Sequence, residues 1–235
     1  MRTRISSMLS VVVALALLLI LPMGVHPAGP TYSLPLAGGT GAVSGWLQCN
    51  SDGFGDPANG AISALAPFGS RLYAATYNME GAQLWRLDDA GWVSLMANGF
   101  GDGTNTGIGH LLEFGGYLYA GTWNEISSPP YTTGGQLWRS ANGSSWSQVT
   151  LPGLATTQGE ITTLVIYNGA LYAATCSYAE GQGAEIWRST TGSSGSWTRC
   201  VSNGFGDANN ASILTFALHG GRLYAGTGNW TTGCQ

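Results

Sequence analysis

Lysine is absent from this sequence, and charged residues of every kind make up only 9% of it. The eight basic residues are all arginine, and the formal net charge is −4. Because proteins hold nucleic acid phosphates with clustered basic side chains, this composition excludes nucleic acid as a partner. Disorder is excluded as well, since 44% of the residues are hydrophobic and nine tryptophans are present.

Long apolar runs are also scarce, and the one that stands out lies at the N-terminus. Arg2 and Arg4 precede an almost unbroken apolar stretch over residues 8–21, which Pro22 closes. The stretch is short for a membrane span and has the flanks of a signal peptide. We therefore predict a signal peptide over residues 1–28 and a secreted or cell-surface protein. An uncleaved N-terminal anchor is the alternative, and it would be the protein's sole link to a membrane.

What the sequence has in abundance is glycine and internal repetition. A Gly-Phe-Gly-Asp segment, with an asparagine three residues after its aspartate, occurs three times. These segments are residues 53–56 with Asn59, residues 99–102 with Asn105, and residues 204–207 with Asn210. Leu-Tyr pairs begin at residues 72, 118, 171 and 223, and lone tryptophans recur at residues 46, 92, 146 and 197. The third unit keeps its Leu-Tyr pair but has residues 151–158 in place of the Gly-Phe-Gly-Asp loop.

Each unit of the repeat contains four short apolar segments separated by Gly, Asn and Ser. In the second unit these are residues 108–114, 117–123, 136–140 and 146–150, which we predict to be strands a, b, c and d. Four antiparallel strands repeated about every 50 residues indicate a β-propeller. One such sheet has two apolar faces and must stack on its neighbours to cover them. A β-solenoid is the alternative, although its repeats are usually shorter.

The predicted fold is therefore all-β: a β-propeller of four-stranded antiparallel blades over residues 45–235, preceded by a Gly- and Pro-rich linker at residues 29–44. About four blades are visible in the repeat pattern. Gln235 takes the place that Gln83 and Gln136 have before strand c. We therefore expect the native polypeptide to be longer than this chain and truncated here at its C-terminus, with further blades to follow.

The turns between strands c and d carry a second motif. Residues 140–146 run from serine through Asn142 to tryptophan, and residues 189–197 form a looser version. This pattern resembles the Asp-box of the secreted, sialidase-like propellers, with Asn142 where that family prefers aspartate. The resemblance implies the propeller fold, but a fold shared by many functions does not assign one.

Antiparallel connectivity places the d-to-a loops and the b-to-c loops at one end of the blades, where propeller ligands usually bind. The Gly-Phe-Gly-Asp-x-x-Asn loops have a structural interpretation, in which Phe fills a gap between blades and Asp and Asn cap their own backbone. The alternative is a set of oxygen ligands for Ca²⁺, the one cofactor considered. The candidate metal ligands are Asp56, Asn59, Asp102, Asn105, Asp207 and Asn210.

The b-to-c loops carry aromatic and amide side chains. Stacked aromatic rings with amide hydrogen bonders suit sugars, which present an apolar face and a rim of hydroxyl groups. The candidate ligand-binding residues are Tyr77, Asn78, Trp123, Asn124, Tyr131, Tyr178, Asn229 and Trp230. The alternative is that these side chains are ordinary loop residues.

No catalytic constellation is recognisable in the sequence. Sialidases of the resembled family need clustered arginines, but the arginines here recur at a-to-b turns and on strand c. Glu113 and Glu160 lie near strands a with nothing to pair them, whereas glycosidases need two carboxylates. We therefore predict a binding module for carbohydrate or protein. The alternatives are an exported sialidase-like glycoside hydrolase, with catalytic residues largely beyond Gln235, and a structural surface protein.

Cysteine is rare, with four residues at positions 49, 176, 200 and 234. Their spacing does not fit a zinc site, because there is no Cys-x-x-Cys pair. Export would permit disulfides. Cys176 and Cys234 both flank b-to-c loops of neighbouring units, so we predict that these two are paired.

Overall fold

The computed structural model describes residues 48–124, 133–151 and 158–235. The signal peptide, the linker, Trp46 and Tyr131 lie outside the described residues. The strands are β1 (Asn59–Phe68), β2 (Arg71–Asn78), β3 (Leu84–Asp88), β4 (Gly91–Met96), β5 (Gly107–Phe114), β6 (Tyr117–Trp123), β7 (Leu137–Ser140), β8 (Ser147–Val149), β9 (Glu160–Tyr167), β10 (Ala170–Cys176), β11 (Ile186–Ser189), β12 (Thr198–Val201), β13 (Ser212–His219) and β14 (Arg222–Gly228). Short helical turns cover Asp52–Gly55, Asn98–Gly101 and Asn203–Gly206. In the described part of the chain, no helix has the length and apolar character that a membrane span requires.

The strands form successive antiparallel meanders. β1–β4 form the first blade, β5–β8 the second and β9–β12 the third, while β13 and β14 begin a fourth. The first strands of the blades lie side by side, with β5 between β1 and β9, and with β13 next to β9. Four-stranded sheets that fan out from adjacent inner strands are the blades of a β-propeller. The propeller prediction is confirmed, and the sheet that the described residues form is not closed into a ring.

Apolar residues at repeated positions fill the spaces between blades. Ile108, Ile161 and Ile213, the second residues of β5, β9 and β13, are fully buried where each blade packs on the preceding one. Ile62 holds the same place in the first blade and is 44% exposed, because no described blade precedes it. Full burial of an isoleucine contributes about 1.5–3 kcal/mol, so the contacts between blades are a main source of stability.

The Leu-Tyr pairs have a specific packing role. Tyr73 of the first blade is buried beneath Gly143, which lies in the c-to-d turn of the second blade. Tyr119 lies beneath Gly192 of the third blade in the same way. A Cβ atom at either glycine would collide with the phenol ring. The first blade is therefore locked onto the second, and the second onto the third, at the end opposite the b-to-c loops.

The predicted strands of the second unit match the structure closely. All four strands begin and end within one residue of their predicted limits, and strand d, which covers Ser147–Val149, is the shortest. The turn before it is held by Asn142, whose Oδ1 accepts hydrogen bonds from the backbone N–H groups of Ser144 and Ser145 at 2.9 and 2.8 Å. This capping takes Ser145 and Trp146 out of the ladder.

Candidate functional site

The Gly-Phe-Gly-Asp segments form tight left-handed turns. Phe54 and Phe100 both have positive φ, at 57° and 64°. Such a backbone is unfavourable for a bulky residue, and stacking offsets its cost. The Phe54 ring stacks on Trp85 at 4.8 Å, and the Phe100 ring stacks on Trp138 at 4.7 Å. Phe100 packs in the core shared by the first two blades, which supports the structural interpretation of this loop.

A network of hydrogen bonds lies under each of these turns. In the first blade, Nδ2 of Asn59 donates to the Gly53 carbonyl and to Oε1 of Gln83, at 2.9 and 2.8 Å. Thr76 donates to Oδ1 of Asn59 at 3.0 Å, and Nε2 of Gln83 donates to Asp56 at 2.6 Å. The repeated Asp, Asn, Thr and Gln are therefore one connected polar unit that ties the d-to-a loop to strands b and c.

The second blade repeats this network. Nδ2 of Asn105 bonds the Gly99 carbonyl at 2.8 Å, and Nε2 of Gln136 bonds Asp102 at 3.1 Å. In the fourth blade, Nδ2 of Asn210 bonds the Gly204 carbonyl at 2.8 Å. Asp207 there accepts the backbone N–H of Asn209 at 2.9 Å.

The third blade lacks the aspartate loop, and its network changes accordingly. Gln158 replaces the asparagine and accepts a hydrogen bond from Thr175 at 2.6 Å. Glu185 replaces the glutamine and accepts the indole N–H of Trp187 at 2.9 Å. In place of a partner aspartate, Glu185 forms an ion pair with Arg199 at 2.7 Å.

These contacts bear on the calcium prediction. The carboxylates of Asp56 and Asp102 each accept an amide N–H from a glutamine, which is a contact that a bound cation would have to displace. Burial alone would raise the pKa of Asp102, but hydrogen bonds from Thr104 and Gln136 outweigh it and lower the pKa. In the ranges that the structure covers, no three Asp, Glu, His or Cys side chains cluster as metal ligands do. Calcium binding by the six loop residues stays a prediction.

A continuous row of residues crosses all four blades at the end where the b-to-c loops leave. Each residue is the backbone partner of the next, both within blades and from one blade to its neighbour. We call this the mouth row: Ala61, Tyr77, Gly107, Trp123, Glu160, Cys176, Ser212 and Gly228. It brings Tyr77 and Trp123, two of the predicted ligand-binding residues, into one line.

Side-chain sizes along the mouth row are complementary. The Trp123 indole lies against Gly107 and Gly109, where a Cβ atom on either glycine would overlap it. Two further partners in the row combine a large and a small residue, with Ala61 opposite Tyr77 and Glu160 opposite Cys176. In the first two blades the small residue lies on the inner strand, and in the third blade it lies on strand b.

Glu160 is the mouth-row residue that departs from the repeat. The equivalent positions in the other blades are small: Ala61, Gly107 and Ser212. Glu160 is only 7% exposed, and its Oε1 accepts a hydrogen bond from the Tyr178 hydroxyl at 2.7 Å. Burial, together with the neighbouring Cys176 thiol and Glu160 carboxyl group, raises the pKa of Tyr178, so its phenol stays a donor.

The remaining predicted ligand-binding residues fall into two groups. Trp230 and Tyr178 are 70% and 44% exposed, and both stand in the b-to-c loops. Asn78, Asn124 and Asn229 are buried and hydrogen-bonded within their own blades, which makes them parts of the framework.

Sequence reasoning missed Glu160 as a site residue and did not consider Ser212. Aligning the repeats would have singled out Glu160, because it is an acid where the other units have small residues. Ser212 is buried, and among the described residues its Oγ has no hydrogen-bond partner, as is also true of the Trp123 indole N–H. Only coordinates could show these unused polar atoms.

The cysteines are placed without a disulfide in the described part of the chain. Cys176 is buried in the mouth row, whereas Cys234 is exposed near the C-terminus. The pairing of these two residues stays a prediction.

Comparison with known proteins finds solved structures of similar fold but assigns the chain to no family. No protein-family profile and no curated protein matches the sequence. A GH32 β-fructofuranosidase mutant from Bombyx mori, solved with sucrose, is 12% identical over 71% of this chain and 41% of its own, with a TM-score of 0.45. An α-L-arabinofuranosidase from Clostridium thermocellum is 14% identical over 71% of this chain and 60% of its own, with a TM-score of 0.43. An α-L-arabinanase from Penicillium chrysogenum, complexed with arabinobiose, is 16% identical over 60% of this chain and 48% of its own, with a TM-score of 0.42.

This chain thus spans less than two thirds of the length of each of these glycoside hydrolases. At such identities, and with TM-scores below 0.5, the likeness assigns neither an activity nor a substrate to it.

Proposed function

We propose that this protein is an exported carbohydrate-binding propeller whose ligand lies along the mouth row. The observation that carries the proposal is the row itself, which joins aromatic rings, a carboxylate and a hydroxyl group in one backbone-paired line. Sugar sites combine such apolar platforms with a few fixed polar groups.

The aromatic side chains supply the platforms. Tyr77 and Trp123 stand in the row, and Tyr178 and Trp230 project from the loops just beyond it. Trp123 is held against two glycines of β5, so little side-chain entropy is lost when a ligand stacks on it. The Trp123 platform is therefore preorganised for binding.

The polar groups supply directional contacts. Glu160 is an acceptor fixed in place by Tyr178, and the Trp123 indole N–H and Ser212 hydroxyl are without partners in the described residues. Buried polar atoms without partners are costly unless a ligand or water satisfies them. Sugar hydroxyl groups, which both donate and accept, would satisfy the Trp123 indole N–H and the Ser212 hydroxyl.

The signal peptide predicted over residues 1–28 supports export, which would give the mouth row access to extracellular glycans. A protein ligand is the neighbouring alternative, since exposed aromatic side chains also anchor protein interfaces. The charge and hydrogen-bonding groups of the row favour a sugar, because they are spaced along a line and alongside the aromatic rings.

The proposal is tested with a glycan array followed by titration calorimetry on the ligands found. Replacing Trp123 with alanine should weaken binding about tenfold, since an aromatic platform contributes on the order of 1 kcal/mol or more. Tyr224 is exposed on β14 and outside the mouth row, so Tyr224→Ala serves as the matched control. An array with no positive feature, or equal losses in both variants, would contradict the proposal.

Glycoside hydrolysis is a second candidate, favoured by the buried position of Glu160 on an inner strand. Glycosidases use two carboxylates flanking the scissile bond, and in the mouth row Glu160 is the one carboxylate. Release of reducing ends from a bound oligosaccharide, abolished by Glu160→Gln, would establish this activity. Binding without release would leave the protein a lectin.

A further inference from the structure

We propose that the mouth row selects a sugar carrying a free, protonated amino group. This inference rests on the proposed carbohydrate-binding function and names the class of sugar. It follows from the distribution of charge, from the surroundings of Glu160 and from the unused polar atoms beside it.

Acidic side chains gather at the end of the blades where the mouth row lies. They stand in the d-to-a loops, in the b-to-c loops and in the row: Asp52, Asp56, Glu80, Asp102, Glu160, Glu180 and Asp207. The hydrogen bonds that lower the pKa of Asp102 keep that side chain ionised. Acidic charge summed over one end of a protein concentrates cations there and repels anions.

The arginines do not balance this charge. Arg71 and Arg222 begin strands β2 and β14 at the a-to-b turns, at the opposite end of the blades. The arginines of strands c are engaged with Asp88, Ser193 and Tyr172. Arg199, the arginine of the last described d strand, is ion-paired with Glu185. Over the described ranges, the mouth row therefore has acids nearby and no uncommitted cation.

Glu160 and Trp123 mark the place in the mouth row where a cationic group would bind. They are backbone partners across the boundary between the second and third blades. A carboxylate and an indole ring carried by paired positions of adjacent strands can bind an ammonium group together, through an ion pair and a cation–π contact. The ion pair would be strengthened here because Glu160 is largely withdrawn from water.

The unpartnered atoms of the mouth row point to a ligand with hydroxyl groups as well as charge. Ser212 is buried, with no hydrogen-bond partner for its Oγ in the described residues, and it follows Cys176 in the row. The Trp123 indole N–H lacks a partner too. A basic peptide would supply the cation on a flexible side chain, apart from its backbone acceptors. An amino sugar supplies both on one rigid ring.

The same charges exclude acidic sugars. A uronic acid or sialic acid would bring its carboxylate against the acidic side chains of Glu160 and the loops, and like charges brought together cost free energy without a compensating cation. The mouth row is therefore unsuited to the carboxylate-bearing substrates of sialidases.

The test compares a glucosamine hexamer with its fully N-acetylated counterpart by titration calorimetry. We expect the free amine to bind at least about tenfold more tightly, and Glu160→Gln to remove most of this difference. Added salt should weaken the amine ligand more than the acetylated one, because screening acts on the charge. Glu113→Gln removes the same charge from the far end of β5 and should leave both affinities unchanged.

The outcomes that contradict the amino-sugar inference differ from the one that contradicts carbohydrate binding itself. Equal binding of the two hexamers, or a Glu160→Gln variant that keeps the difference, overturns the amino-sugar inference while leaving carbohydrate binding standing. Binding of neutral glycans but of neither hexamer has the same effect. An oligolysine peptide that competes as strongly as the glucosamine hexamer would show general cation attraction and also overturn it. Failure to bind any sugar overturns the proposed function itself.

Discussion

Gly109 shows how one absent side chain determines the position of another. Its equivalents in the other blades are Ser63, Thr162 and Leu214. Ser63 and Thr162 use their hydroxyl groups to bond carbonyls of the next inner strand, those of Ile108 and Ile213. The second blade gives up this bond, and the Trp123 indole occupies the space instead. A stabilising contact has been exchanged for an aromatic platform at the mouth row.

Replacing Gly109 with alanine should therefore displace the Trp123 indole. Overpacking of this kind costs about 1–3 kcal/mol of unfolding free energy, and we expect a shift in tryptophan emission together with a loss of ligand affinity. The control is Gly60→Ala, because the atom nearest to a Cβ at Gly60 would belong to the Tyr77 ring, at an ordinary contact distance of 4.0 Å. Unchanged emission and affinity in Gly109→Ala would contradict the packing described.

His110, next along β5, makes stability depend on pH. Burial lowers the pKa of His110 to about 4 from an ordinary value of 6.5. The unfolded chain therefore binds a proton more readily, so stability is fully present above pH 6.5 and is lost as the pH falls towards 4. Between about pH 7.5 and 5 we expect a loss of at most about 2 kcal/mol in urea unfolding. His110→Gln should remove this dependence and His219→Gln should not, and a flat profile for the wild type would contradict the burial of His110.

At the scale of elements, the third blade shows that the polar network can be rebuilt with charge. Glu185 and Arg199 replace the glutamine and aspartate of the other blades. Removing one member of such a pair costs more than replacing both, because it leaves a buried charge without a partner.

We expect Arg199→Ala to destabilise the protein by about 1–2 kcal/mol, a value reduced by the partial exposure of the arginine. Adding Glu185→Gln should recover most of the loss, because glutamine occupies this position in the first two blades without an arginine. Thermal or urea unfolding of the single and double variants measures the effect. A double variant less stable than Arg199→Ala would show that the blade depends on the charge itself.

The elements were also where sequence reasoning succeeded and where it reached its limit. Strands a to c of the second unit could be placed to within one residue, because alternating apolar residues and glycine turns are local signals. The mouth row could not be found, because the partnership of Trp123 with Glu160 joins different blades and is set by how they fan. The orientation of the loop amides was also beyond the sequence: Asn105 and Asn210 are buried, and which way a loop amide turns depends on packing between distant segments.

At the scale of the whole molecule, the turns that open three of the blades are held by protein groups. We expect the chelator EDTA to leave the melting temperature unchanged, because glutamine amides already bind the carboxylates of Asp56 and Asp102. Differential scanning calorimetry with and without EDTA, alongside a measurement of calcium content, provides the test. A drop of several degrees on chelation would instead support the calcium alternative for the Asp-x-x-Asn loops.

The mouth row takes its order from main-chain pairing alone, with one residue pair joining each blade to its neighbour. The spacing of the row is therefore set by the backbone, and side chains along it can be exchanged without changing that spacing. A new specificity needs few substitutions per blade: one that inserts a functional group, and one or two on the opposing strand that clear the volume for it. Trp123 with its two glycines is one such coordinated set, and Glu160 with Cys176 is another.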